Sequence, residues 1–263
     1  MSAVILQNEV VHYEVLGRGR PVFFLHGWVG SWRYWIPAMQ AASISYRAYA
    51  LDFWGFGDTA KNQERYLLVD QVNLIGAFLE HLGIERVAII GHGLGGVVGL
   101  MLAAQYPTRV DRLLAVEMPL GQVTLNPRLL SDSPRELSDW LLNRTDNTEA
   151  VRMEAPKTDP QAVQVSLNSL DPEQLLSLST QSPTPILFVH GLNDLALPLS
   201  NPDEHLADLP GHTHSILFDQ SGHFPMLDEV NKFNRLMADF LLLKSGESPA
   251  QLQLKEEWKR RVR

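Results

Sequence analysis

The chain of 263 residues carries a formal net charge of −8, contains no cysteine and is 45% hydrophobic. This composition supports a folded core and excludes a disordered chain, a general nucleic-acid binder and any disulfide or thiolate chemistry. No apolar run approaches the roughly 18 residues that span a membrane, and the opening "MSAVILQNEV" lacks the basic region of a signal peptide. We therefore expect a cytoplasmic protein with neither a membrane nor a nucleic-acid partner.

The first part of the chain alternates between strand and helix patterns. A continuous apolar run such as "PVFFLHG" is typical of a strand buried on both faces of a parallel sheet. The turn "GRGR" after the first strand predicts a β-hairpin there. The predicted strands are Val10–Leu16, Pro21–Gly27, Tyr46–Asp52, Arg86–His92 and Asp111–Met118, and the predicted helices are Ser31–Ala42, Leu67–Leu82 and Leu94–Tyr106.

The alternation breaks between residues 119 and 185, where prolines punctuate short helices that start near Ser133, Asp159 and Asp171. It then resumes with a strand at Pro185–Gly191, a helix at Pro202–Leu209, a strand at His214–Asp219 and a last helix near Phe224–Leu243. We predict an α/β fold with one discontinuous core domain, residues 1–118 and 186–245. Residues 119–185 would form a small helical lid, and residues 246–263 a mobile tail.

Glycine and polar residues gather directly after the predicted strands, while the strand interiors stay apolar. In a mostly parallel sheet, ligands bind beyond the carboxyl ends of the strands. The residues at these ends are His26-Gly27-Trp28, Asp52, Gly91-His92-Gly93-Leu94-Gly95, Glu117, His190-Gly191 with Asp194, and Gly222-His223.

These stretches make the chain resemble the α/β-hydrolase fold superfamily over nearly all of residues 10–243. The motifs that carry the resemblance stand in the family's order, each after its proper strand: "HGWVGS", "DFWGFGDT", "GHGLG", "GLND" and "SGHFPMLDE". A single Gly-x-Gly-x-Gly would be weak support, but the ordered set is specific. The resemblance implies a mostly parallel sheet flanked by helices, with the site at its carboxyl edge.

The resemblance also implies roles for individual residues. Asp194 would be the acid that orients His223, and His223 would be the general base. The backbone N–H groups of Trp28 and Leu94 would form an oxyanion hole for charge that develops in the transition state. Glu117 stands where some relatives place an alternative acid, although a strand-end carboxylate can also simply face water.

The resemblance breaks at Gly93, which occupies the position of the nucleophile. Relatives that hydrolyse esters carry serine there, and dehalogenases and epoxide hydrolases carry aspartate. Glycine tolerates the strained backbone of such a turn, so we expect the fold to persist without the nucleophilic oxygen. The vacated space would suit one ordered water, held by His223 and the two N–H groups.

Four side chains are candidates for contact with a substrate: Trp28, Trp54, His92 and Glu117. Aromatic residues near helix starts are as often simple packing, and a histidine after a strand often only satisfies backbone groups. A structural role of this kind, rather than contact with a substrate, is favoured for His26, His92, His190 and Asp52. We predict no cofactor and no metal site, because His212 and His214 alternate without further ligands.

Three functional hypotheses remain open from the sequence. The first is a carboxylic-ester or acyl hydrolase whose nucleophile is replaced, so that it is inactivated or works through water. The second is an enzyme resembling lyases or cofactor-free oxygenases, which uses the His223–Asp194 pair without a covalent step. The third is a catalytically silent protein that binds a small molecule. In each case the partner would be a small, apolar acyl-type compound.

Overall fold

The computed structural model of the chain describes residues 2–143, 145–198 and 210–254. Within them, eight strands form one sheet in the order β1-β2-β4-β3-β5-β6-β7-β8. The two pairs β1–β2 and β2–β4 are antiparallel, and all other neighbours are parallel. The strands are β1 Ser2–Leu6, β2 Glu9–Gly17, β3 Arg20–Leu25, β4 Tyr46–Leu51, β5 Val87–His92, β6 Val110–Val116, β7 Ile186–Gly191 and β8 Thr213–Phe218.

Helices connect the consecutive parallel strands from β3 to β7. They are α1 Ile36–Ala42, α2 Leu68–His81, α3 Leu94–Gln105, α4 Arg128–Ser131, α5 Pro134–Leu141, α6 Asp146–Glu154, α7 Pro160–Asn168, α8 Pro172–Gln181, α9 Pro225–Asp228 and α10 Val230–Leu242. Short 3-10 turns lie at Trp32–Trp35, Gln63–Arg65, Ala155–Lys157 and Pro249–Gln251. Among the described residues, every helix is too short or too polar to span a lipid bilayer.

The strand order places a topological switch between β3 and β5. From β3 the chain moves through α1 to β4 on one side, and from β4 it returns through α2 to β5 on the other. Because such crossovers are right-handed, α1 and α2 cover opposite faces of the sheet. The loops that leave β3 and β5 therefore lie side by side at the carboxyl edge, which is where an open α/β sheet binds its ligand.

The strand predictions are confirmed to within a residue or two, and the predicted α/β architecture is observed. The hairpin prediction is wrong in its position. β1 pairs with β2 around Gln7 and Asn8, whose φ angles of 50° and 67° suit a two-residue hairpin turn. β2 then pairs with β4, so "GRGR" joins two strands that are not neighbours.

The helix predictions hold in the main, with a few differences. Ser133, Asp159 and Asp171 cap α5, α7 and α8 as expected, each by accepting a hydrogen bond from a backbone N–H. The last predicted helix is split at Glu229 into α9 and α10. The short helices α4 and α6 were not predicted. The predicted helix Pro202–Leu209 and most of the basic tail lie outside the described residues.

Candidate active site

The loop between β5 and α3 has the form of a nucleophile elbow around Gly93. Its backbone stands at φ 46° and ψ −110°, a conformation that favours glycine. The flanking glycines allow close packing: a Cβ on Gly91 would lie 2.4 Å from the carbonyl oxygen of Gly95, and one on Gly95 would lie 2.2 Å from that of Leu25. The sequence thus builds the turn in full and omits only the central side chain.

The indole of Trp28 covers Gly93. A Cβ placed on Gly93 would lie 3.1 Å from Cε3 of this ring and 3.2 Å from Cζ3. The indole Nε1 donates a 3.0 Å hydrogen bond to Ser166 Oγ on α7, and Trp28 is almost fully buried. The space beside the glycine is therefore bounded by an aromatic ring, that of one of the predicted substrate-contact residues.

The two predicted oxyanion donors belong to the loop after β3 and to the elbow after β5. The N–H groups of Trp28 and Leu94 find no acceptor within the described part of the chain. Leu94 is the first residue of α3, so its N–H belongs to the free amino end of the helix and carries partial positive charge. Both groups are therefore free to stabilise a developing oxyanion.

His223 and Asp194 form a buried hydrogen-bonded pair. His223 Nδ1 donates to Asp194 Oδ2 at 2.8 Å, and both residues are 4% exposed. Asp194 Oδ1 accepts from the N–H of Ala196 at 2.7 Å. Among the described residues nothing hydrogen-bonds to His223 Nε2. With its proton on Nδ1, the ring presents a lone pair at Nε2, as a general base must.

The pair keeps Asp194 ionised. Burial alone would raise the pKa of this carboxyl. The charge of His223 and the hydrogen bonds from His223, Glu117 and Ala196 outweigh that effect and lower the pKa to about 2. The carboxylate can therefore stabilise an imidazolium on His223 throughout the neutral range.

The ionised Asp194 is expected to stabilise the fold above about pH 4 and to lose this contribution as the pH falls toward 2. An unfolded aspartate titrates near 3.9, so the shift corresponds to roughly 2.5 kcal/mol. Urea unfolding between about pH 6 and pH 2.5 should show a steeper loss of stability for the parent than for Asp194→Asn. The exposed control Glu85→Gln should follow the parent, and parallel curves for Asp194→Asn and the parent would contradict the expectation.

A chain of hydrogen bonds braces the loops around the elbow. Gly27 N–H donates to Tyr34 Oη at 2.6 Å, and Tyr34 Oη donates to His92 Nδ1 at 2.9 Å. His92 Nε2 donates to the carbonyl oxygen of His223 at 2.9 Å. Burial, followed by the nearby charge of His223, holds the pKa of His92 well below its usual value, so the ring stays neutral. Sequence reasoning missed Tyr34, since nothing local marks it.

Removing the Tyr34 hydroxyl is expected to cost about 1–3 kcal/mol of stability, because Tyr34→Phe leaves a buried N–H and a buried imidazole nitrogen without partners. Denaturant unfolding at pH 7 measures the change. Tyr106→Phe serves as the matched control, because the one hydrogen bond of its hydroxyl among the described residues comes from the exposed Gln105 amide. If the two variants lost equal stability, the hydrogen-bond chain would have no energetic role.

Two of the other predicted substrate contacts, His92 and Trp54, are buried and hydrogen-bonded within the protein. His92 uses both ring nitrogens internally, and Trp54 is fully buried with its backbone N–H and carbonyl bonded to the Gln71 amide. His26 braces its loop as expected: Nδ1 donates to the carbonyl of Gly27, and Nε2 accepts from the N–H of Phe53. The substrate-contact roles of His92 and Trp54 remain predictions.

One group of metal-ligand types lies together in the described residues, His12 with Asp52 and Asp58. Asp52 accepts from the N–H of Trp32, from the N–H of Asp58 and from His12 Nδ1. Asp58 pairs with Lys157 at 3.1 Å. Because these carboxylates are already used within the protein, the cluster ties the loop after β4 to its surroundings.

Glu117 lies at the end of β6, next to the acid loop. It is fully buried, so the idea that this carboxylate faces water is wrong. One of its oxygens accepts from the N–H of Gly191, and the carboxyl group lies close to that of Asp194. The sequence placed this residue at the right edge of the sheet, but its contact with the acid is a product of the fold.

A mostly parallel sheet with an elbow between strand and helix, and a histidine–carboxylate pair on later loops, defines the α/β-hydrolase architecture. The family model of the alpha/beta hydrolase fold matches residues 20–159, just over half of the chain. The chain therefore belongs to the α/β-hydrolase family.

Curated relatives share the full length of the fold. The chain is 26% identical over 269 residues to the 2-hydroxy-6-oxo-6-phenylhexa-2,4-dienoate hydrolase of Comamonas testosteroni, covering 90% of this chain and 92% of the relative. It is 23% identical over 254 residues to a pimeloyl-[acyl-carrier protein] methyl ester esterase of Vibrio parahaemolyticus, covering 88% and 97%. The enol-lactonase of Burkholderia xenovorans superposes with a TM-score of 0.79 at 19% identity, covering 92% and 100%. This likeness in structure concerns the fold.

Proposed function

We propose that the protein hydrolyses esters of small apolar acyl compounds without a covalent intermediate, by general-base activation of water. The observation that carries the proposal is the buried His223–Asp194 pair, whose Nε2 has no partner among the described residues. Folding alone does not require such a pair beneath an elbow without a nucleophile. The dienoate hydrolase and methyl ester esterase relatives support an acyl substrate.

The chemistry follows the positions of these groups. His223 Nε2 removes a proton from water as the oxygen attacks the ester carbonyl, and Asp194 stabilises the imidazolium. The N–H groups of Trp28 and Leu94 hold the negative oxygen of the tetrahedral intermediate. When the intermediate collapses, the imidazolium returns its proton to the departing alcohol. The reaction thus yields the acid and the alcohol from the ester and water, and it needs no side chain at Gly93.

Residues 119–185 would cover the site as a lid. Within them α7 contacts the loop after β3 through the hydrogen bond between Ser166 and Trp28. The apolar indole beside Gly93 supports an acyl group without charge on the adjacent carbons. The core-and-lid division, and the tail beyond residue 245, are part of this proposal.

Short p-nitrophenyl esters test the proposal directly. We expect the native protein to accelerate hydrolysis of the acetate or butyrate ester by about 10³-fold over the reaction in water. Heat-denatured protein should not accelerate it. We also expect no initial burst and no acyl adduct in the intact mass of quenched protein. Absence of turnover would overturn the proposed hydrolysis, and an adduct would overturn its non-covalent step.

A binding function without turnover is the second candidate. The close cover of Gly93 by the Trp28 ring favours it, because the ring limits the room for an attacking water. In that case short acyl compounds would raise the melting temperature while no product forms.

A further inference from the structure

A second carboxyl group, that of Glu117, lies behind the acid of the site. The side chains of Glu117 and Asp194 are each 1% exposed. Glu117 has a φ of 45°, in the left-handed region that residues other than glycine rarely adopt, and its N–H donates to the carbonyl of Val189 on β7 at 3.0 Å. This unusual backbone sits where β6 ends and holds the carboxyl beside the loop that carries Asp194.

The partners of the Glu117 carboxyl define its protonation. Oε1 accepts from the N–H of Gly191, while Oε2 is buried and receives no N–H or O–H donor among the described residues. The imidazole Nδ1 of His190 lies 3.5 Å from Oε2, long for a hydrogen bond. The Glu117 carboxyl lies within hydrogen-bonding reach of the Asp194 carboxyl. A hydrogen bond between two carboxyl groups requires a proton on one of them.

Asp194 is the ionised member of this carboxyl pair. Its two oxygens accept from His223 Nδ1 and from the N–H of Ala196, so both are bonded as a carboxylate requires. Among the described residues Glu117 receives one N–H donor, and it faces the negative charges of Asp194 and Asp228. Burial, with the Asp194 charge added to it, raises the pKa of Glu117 well above its usual value.

We propose that Glu117 is a protonated positioning residue, whose carboxylic acid donates a hydrogen bond to Asp194 and thereby fixes the carboxylate that orients His223. The neutral acid stabilises the charge of Asp194 without adding a second negative charge to a buried site. It moves no proton during the reaction. The catalytic consequence rests on the proposed function, but the proton on Glu117 does not.

Infrared spectroscopy tests the proton without any assay of activity. At pH 7 the parent should show the C=O stretch of one protonated carboxylic acid that is missing from Glu117→Gln. The exposed control Glu85→Gln should retain that band. If the spectra of the parent and Glu117→Gln show no such difference, Glu117 is ionised and the proposal is overturned.

Proton NMR tests the positioning role. The Nδ1–H of His223 should give a far-downfield resonance, identified by its loss in His223→Ala. Glu117→Gln should keep it, because the amide still donates to Asp194, whereas Glu117→Ala should lose it or exchange it much faster. An unchanged resonance and exchange rate in Glu117→Ala would overturn the role.

If the parent turns over esters, Glu117→Ala should lower kcat by about 10-fold at similar KM, and Glu117→Gln should stay within about threefold of the parent. A parent without turnover would remove the proposed function, while the infrared and NMR measurements would still decide the state of Glu117. An inactive Glu117→Gln that keeps the resonance would overturn the rescue and with it the positioning role.

Discussion

Replacing Gly93 with serine is expected to create a covalent hydrolase, with kcat/KM for short esters rising by at least about 100-fold over the parent. The elbow is already formed, the proposed base and oxyanion donors accompany it, and only the nucleophilic oxygen is missing. A fluorophosphonate probe should label Gly93→Ser and leave the parent unlabelled.

This gain is expected to carry a cost in stability. A side chain at φ 46° is strained by about 1–3 kcal/mol, and the Trp28 ring must give way by a few tenths of an ångström. Gly93→Ala is the matched control, since it has the same strain and the same contact but no hydroxyl group. We expect it to lose similar stability and to remain unlabelled. A folded Gly93→Ser that neither labels nor hydrolyses would refute the claim that the remaining machinery is competent.

Replacing His223 with alanine is expected to lower the parent's turnover by about 10²–10³-fold, toward the level of denatured protein. The same substitution in a Gly93→Ser background should abolish labelling, because the serine would lose its base. Added imidazole should restore part of the rate by supplying the missing base.

The control for this loss is His81→Ala, which removes an exposed histidine at the end of α2. It should behave as the parent does in every assay. Turnover that survives in His223→Ala would show that the measured activity does not use this pair, and the water-mediated mechanism would fall.

The strands and the order of the motifs could be predicted because both are local properties of the chain. The apolar run of β3 indicates by itself a strand buried on both faces. The glycines around position 93 indicate by themselves a tightly packed turn. The edge of the sheet where chemistry gathers follows from that alternation alone. The site pair, His223 with Asp194, could be named from the resemblance to the α/β-hydrolase superfamily, because the two loop motifs "GLND" and "SGHFPMLDE" carry it.

The position of the first hairpin was harder to predict from the sequence, as was the split of the last helix. The turn at Gln7 and Asn8 depends on two left-handed residues, which a short N-terminal run does not announce. "GRGR" has the composition of a hairpin turn, yet the pairing of β2 is decided by β4, which lies about 30 residues further along the chain. Pairing between distant strands is a tertiary property that local composition does not encode.

The sequence by itself determined the fold, the place of the site and the absence of a side chain at Gly93. Only the tertiary structure decided what surrounds that absence: the ring of Trp28 over the glycine, Tyr34 between Gly27 and His92, and the buried acid of Glu117 against Asp194. The physical reason is the separation along the chain between the residues that interact. Periodicity and turn chemistry act between residues a few positions apart, whereas these contacts join side chains that meet only after separate strands have paired in one sheet.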